Sequence, residues 1–160
     1  MNEIHLDIQI KSSDLYDYML RHAYHSAQGL LGSCIGALAI LMFLSNHQPI
    51  YCIMGVIILL YLPWNLFIKS KQQALNNPAF KQPLHYVLDD EGISVSQGEV
   101  TECQKWEDMY RAVSTSKSII VYTSRVNACI FPRRELGEQV TEVIACISAH
   151  MEPKKVNIRY

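Results

Sequence analysis

Residues 27–45 read AQGLLGSCIGALAILMFLS and residues 50–68 read IYCIMGVIILLYLPWNLFI, with only NHQP between them. These two runs decide the fold. Neither holds an Asp, Glu, Lys or Arg. Each is close to the roughly 20 residues that a helix needs to cross about 30 Å of hydrocarbon. A soluble core helix of that length would show a polar face. So short a link forces the two helices to run antiparallel, and a helical hairpin satisfies its own backbone groups inside a bilayer. The sequence therefore predicts a transmembrane hairpin.

The flanks orient it. Lys11 and Arg21 precede the first run, Lys69, Lys71 and Lys81 follow the second, and the link has no Lys or Arg. The positive-inside rule then puts both termini in the cytoplasm and the link outside, the topology of a multi-pass membrane protein. Tyr51 at the outer edge, and Tyr61 and Trp64 at the inner edge, suit interfacial positions. Two uncharged helices offer no ion path of their own, so the hairpin reads as an anchor. Gly32 and Gly36 form a GxxxG, and Gly29, Ser33 and Ala37 make a second small-residue row. Such a face would serve a homodimer through the first helix. Packing against the second helix of the same chain, near Gly55, is favoured because that partner is always at hand. Pro63 predicts a kink at the inner end of the second helix.

Outside the runs the chain has an ordinary polar composition. The 160 residues carry a net charge of −1, with 49% hydrophobic and 18% charged residues. The mean hydropathy of +0.05 averages two unlike regions. Near-neutral charge argues against nucleic acid or another polyanion as a partner. The five cysteines, Cys34, Cys52, Cys103, Cys129 and Cys146, are odd in number and lack CxxC spacing. They read as free thiols in a reducing compartment, not a disulfide framework or a zinc site. The start, Met-Asn-Glu, is not that of a signal peptide.

Residues 4–10, IHLDIQI, alternate apolar and polar, the pattern of a half-buried strand. Ser12 or Ser13 would N-cap a following helix that leads along the membrane surface to the first run. After the second run the helix should continue over residues 69–77 and stop at Asn76-Asn77-Pro78. From Leu84 the pattern changes to six short strands, beginning LHYVLD, ISVSQ, VTECQKW, YRAVSTS, SIIVYTS and NACIF, with turns at 89–92, 97–98 and 116–117. A helix over residues 133–150 closes the series, its stripe made of Leu136, Val140, Val143, Ile144, Ile147 and Met151. Six strands under one helix must curl, and the N-terminal strand is free to join them. The expected fold is an α+β membrane protein: a two-helix transmembrane hairpin plus a small β-barrel or sandwich of seven strands with a C-terminal helix, laid out like a pleckstrin-homology (PH-like) domain. The segments are 1–26 (strand and amphipathic helix), 27–68 (hairpin), 69–83 (helical extension and linker), 84–152 (cytosolic domain) and 153–160 (basic tail).

The order of parts resembles the YcxB-like family of bacterial membrane proteins. The resemblance is carried by Tyr86 with Asp90-Glu91-Gly92-Ile93, by Trp106-Glu107-Asp108-Met109, and by Ile130-Phe131-Pro132-Arg133-Arg134. It implies a PH-like C-terminal domain and a location in the bacterial cell (inner) membrane. It brings no catalytic residues.

The polar residues give little chemistry. His22 and His25 have a chelating spacing but no third ligand nearby, so no metal or other cofactor is expected. Asp89-Asp90-Glu91 and Glu107-Asp108 read as turn residues before they read as acid–base pairs. Ser114, Ser116 and Ser118 have no adjacent His. No phosphate loop, nucleophile elbow or zinc-protease motif occurs, so no enzyme is expected. Arg133, Arg134, Lys154, Lys155 and Arg159 are the candidates for contact with anionic lipid, at about 1 kcal/mol per charge if they face the bilayer. A solvated surface accounts for them as well. Trp106, at a strand end, reads as core, with ligand contact as the alternative. The expected function is a membrane-tethered module that binds a protein or peptide partner, or the inner-leaflet surface. The alternative is a small immunity or stress-protection protein acting through its hairpin.

Overall fold

The structure is a computed structural model that describes residues 3–98 and 100–159. Strand β1, Ile4–Ile8, buries Ile4, Leu6 and Ile8 and exposes His5 and Asp7. It pairs antiparallel with β2, Leu84–Leu88, setting Ile4 opposite Leu88 and Ile8 opposite Leu84. The N-terminal strand therefore joins the later sheet, across the whole intervening hairpin.

Between these strands lie three helices. Helix α1, Ser12–Tyr24, starts one residue earlier than a serine cap requires: Lys11 holds the N-cap position. The Asp14 carboxylate supplies the cap by accepting from the Lys11 N–H at 2.8 Å. A carboxylate three residues into a helix serves that purpose and also suits the helix dipole. Helix α2, Ala27–Asn46, is capped by Ser26, whose Oγ accepts from the Gly29 N–H at 3.2 Å. It ends at His47 in a left-handed conformation. Helix α3, Pro49–Asn76, begins on a proline and runs through Pro63 to the stop at Asn77. Both α2 and α3 are long and apolar enough to cross a membrane. Their apolar side chains are not gathered into the core: Leu31, Ile57, Leu60 and Trp64 are each more than 60% exposed.

The helices meet where side chains are smallest. A Cβ on Gly36 would lie 2.7 Å from the Leu59 side chain, and one on Gly55 would lie 2.8 Å from the Gly36 carbonyl oxygen. Gly36 and Gly55 thus let the backbones touch. Gly32 faces open space, with nothing within 4 Å of an added Cβ.

Strands β3 (Gly92–Gln97) and β4 (Val100–Lys105) extend the first sheet. Strands β5 (Arg111–Ser114), β6 (Ser118–Tyr122) and β7 (Ala128–Pro132) belong to a second. Among the described residues, the sheets have the orders β1-β2-β3-β4 and β7-β6-β5-β8, and neither closes into a barrel. The barrel form of the expectation is thereby corrected to two open sheets. The chain leaves β4 through a 3-10 turn, Trp106–Asp108, which carries it into the second sheet.

Two further corrections concern the C-terminal part. The single helix expected over 133–150 is broken into α4, Arg133–Leu136, a 3-10 turn at Gly137–Gln139, and α5, Val140–His150. Gly137 adopts φ +54°, which a helix cannot accommodate. The residues read as a basic tail turn through Pro153–Lys155 into β8, Val156–Asn157, which pairs parallel with β5. Val156 and Ile158 pack on the core from there.

One hydrophobic core unites the parts. It gathers Leu6, Ile8 and Leu88 from the first sheet, Ile119, Val121 and Phe131 from the second, and Val143, Ile144 and Ile147 from α5. Leu15 of α1 enters the same core. The other face of the second sheet, Val113, Ile120 and Tyr122, is covered in part by Tyr18 of α1.

Candidate functional site

The last turn of α1 carries Arg21, and His25 caps its C-terminus just before the first long apolar helix begins at Ala27. An i, i+4 spacing puts the two on one helix face. Opposite them runs the bend between β5 and β6. Its geometry is fixed by Thr115, whose Oγ1 accepts from the N–H groups of Lys117 at 3.1 Å and Ser118 at 2.9 Å. The same hydroxyl donates to the Asp17 carboxylate of α1. The bend therefore ties α1 to the second sheet.

Strand β8 and the residues that follow it close the third side. The Arg159 N–H donates to Ser114 Oγ at 2.8 Å, and Arg133 Nη2 donates to the Arg159 carbonyl oxygen at 2.7 Å. Together these elements enclose a polar cleft of about 630 Å³, lined by Arg21, His25, Arg133 and Arg159 with the hydroxyls of residues 114–116. Arg133 Nε is buried and has no hydrogen-bond partner among the described residues. Among the described residues, none of Arg21, Arg133 and Arg159 forms an ion pair with a carboxylate. Three guanidinium groups thus line one cleft, none of them paired with a carboxylate among the described residues. Such a site favours an anion with several acceptor oxygens, because guanidinium forks match phosphate or carboxylate geometry.

The other basic candidates go elsewhere. Arg134 is engaged with Asp14, with Nη2 donating to Oδ2 at 2.8 Å and a second bond from Nη1 to Oδ1. Asp14 is only 2% exposed, so Arg134 neutralises a buried carboxylate and is not free for lipid. It also donates to the Gln9 carbonyl oxygen at 3.2 Å, joining α4 to the end of β1. Lys154 and Lys155 lie in the turn before β8, outside the cleft.

Trp106 is buried; its Nε1 donates to the Asp89 carbonyl oxygen at 2.8 Å, and its ring stacks on His150 with centroids 5.3 Å apart. It braces the first hairpin turn against α5. Asp89 forms that turn, its Oδ1 accepting from the Glu91 and Gly92 N–H groups at 2.8 and 2.9 Å. Of the small residues in α2, Gly29 and Gly36 are buried, Ser33 donates to the Gly29 carbonyl oxygen at 2.8 Å, and Ala37 is exposed. His22 stacks on Tyr18 and Tyr122, and Arg111 lies 4.5 Å over the Tyr122 ring. Burial pushes the Cys129 thiol up to about 12, with a smaller contribution from the charge of Glu102.

Sequence reasoning found Arg133 and Arg159 but not their neighbours. Arg21 served only to orient the hairpin and His25 only as a weak metal ligand. The i, i+4 pairing of two basic groups one turn before an apolar run was the available signal.

The molecule is thus a two-sheet α+β domain that carries two long apolar helices between its first and second strands, with a basic cleft beside the start of the first. Residues 88–147, from the end of β2 into α5, match the family model described as YcxB-like protein, so the chain is similar to that family over this stretch. No curated protein and no solved structure matched the chain.

Proposed function

We propose that this protein is a membrane-tethered interaction module, a PH-like domain held at the cytoplasmic face of a bacterial cell membrane by a transmembrane hairpin. Its role is binding and not catalysis. The observation that carries the reading is the insertion of α2 and α3 between paired strands β1 and β2. A hairpin mounted that way fixes the domain against the bilayer without a linker. The exposed apolar sides of α2 and α3 support membrane insertion, since water would make so large an apolar surface unfavourable.

The surface available to a protein partner is the edge of the first sheet. All six residues of β4 are exposed, and among the described residues β4 pairs with β3 alone. An open edge of this kind accepts an extended peptide as an added strand. Photo-crosslinking from position 102 or 104 of the full chain in native membranes tests this. A discrete crosslinked partner that is lost on Val100→Pro supports the reading; no adduct at either position counts against it.

The hairpin-centred alternative, a small immunity or stress-protection protein, draws on one observation: Gly32 leaves a small-residue face of α2 open. Disulfide trapping through Cys34, which is exposed on the same helix, would report a second copy there.

A further inference from the structure

The basic cleft adjoins the point where the chain would enter the bilayer. Its ligand chemistry follows from four features. Three arginines and one histidine line it. Arg133 Nε is buried and unpartnered among the described residues. Thr115 Oγ1 is occupied by the bend and by the Asp17 carboxylate, leaving Ser116 as a hydroxyl donor toward a ligand. Only one residue, Ser26, separates His25 from the first apolar helix. An anion reaching this cleft from the leaflet would have its phosphate at the level of α1 and its acyl chains beside α2.

We propose that the cleft formed by Arg21, His25, Arg133 and Arg159 binds the phosphate-bearing headgroup of an anionic phospholipid from the adjoining leaflet. This rests on the membrane-tethered reading above and gives that reading its lipid ligand. A phosphodiester offers two non-bridging oxygens that two guanidinium groups can share, and each such charge-assisted bond is about twice as strong as a neutral one. Zwitterionic headgroups offer the same phosphate but bring a cation into a cleft already positive. The site therefore discriminates by net headgroup charge as well as by phosphate geometry.

The test uses the full chain with its hairpin, purified in detergent. Native mass spectrometry counts retained phosphatidylglycerol against phosphatidylcholine of the same acyl length, with and without inorganic phosphate as competitor. The expected result is selective retention of phosphatidylglycerol, weakened about tenfold by Arg21→Gln and unchanged by Arg125→Gln, an exposed residue between β6 and β7 that is outside the cleft. Arg21→Gln is the decisive variant because the Arg21 side chain makes no hydrogen bond among the described residues, whereas Arg133 also ties down the segment after β8. Equal retention of both lipids, or equal loss in both variants, would overturn the proposal. Displacement by inorganic phosphate at matched concentration would overturn the lipid source. Carbonate extraction of the wild-type chain separates the two readings: a chain that resists extraction but shows no lipid preference loses this inference alone, and a chain that is extracted loses the tether as well.

Discussion

Asp14 shows how much one side chain can hold. Its carboxylate caps α1, is almost fully buried, and takes two bonds from Arg134. Removing Arg134 leaves a buried charge without its partner, and such losses cost about 3–5 kcal/mol when both groups are buried. Arg134 is 38% exposed, so solvent can replace part of the interaction. Arg134→Gln should therefore destabilise by about 2–3 kcal/mol, read as a lower thermal midpoint in detergent. Asp14→Asn with Arg134→Gln should recover part of the loss, since no buried charge remains. Cys129 supplies a second residue-level expectation. Its folded thiol titrates at about 12 against 9.0 for an exposed one, so maleimide at neutral pH should label exposed Cys103 and spare Cys129. The sign of the linkage follows: the unfolded chain loses this proton first, so the contribution is intact below pH 9.0 and is lost as pH rises toward about 12. Rapid labelling of Cys129 in the folded chain would contradict the placement of β7. The sequence at this scale was legible where side chains serve their neighbours, as Asp89 and Gly92 do in the first hairpin turn. It was not legible for Asp14 and Arg134, because a contact across most of the chain leaves no mark in spacing.

At the scale of elements, glycines decide which surfaces meet. Gly55→Leu places bulk where Ile40 and the Gly36 carbonyl lie within 3 Å of an added Cβ, so it should force α2 and α3 apart. Gly32→Leu meets open space and should leave the hairpin unchanged. Thermal stability in detergent should fall for the first variant and hold for the second; the reverse order would refute the packing. The elements themselves were largely readable. Alternation in IHLDIQI announces β1, and the stripe Leu136 to Met151 announces the final helical segment. Two elements were misread for local reasons. Gly137 inside the stripe kept the period of a helix while its backbone broke the helix. Strand β8 is two residues long, too short for a period, and is held by a parallel partner on β5.

At the scale of the whole molecule, two long apolar helices lie between paired strands of one core, and the account predicts a single folding unit. Strand β1 lies before the hairpin and pairs with β2 after it, and Leu15 of α1 enters the same core as α5. A fragment of residues 84–160 lacks that strand and helix. It should leave Tyr86 and Leu88 uncovered and fail to give a dispersed amide spectrum; a well-folded fragment would show that the anchor and domain are separable. The seven strands expected from the sequence were found, yet their division into two open sheets was not foreseen, because strand patterns state what is buried and not where a sheet ends. The central claim is that the hairpin crosses the membrane with the domain inside. The most direct measurement is labelling by a membrane-impermeant maleimide in a cysteine-free background carrying either His47→Cys at the hairpin tip or the native Cys103 on β4. The account predicts that position 47 is labelled on intact cells and Cys103 only after permeabilisation. Labelling of Cys103 on intact cells, or protection of position 47 from outside, would contradict it.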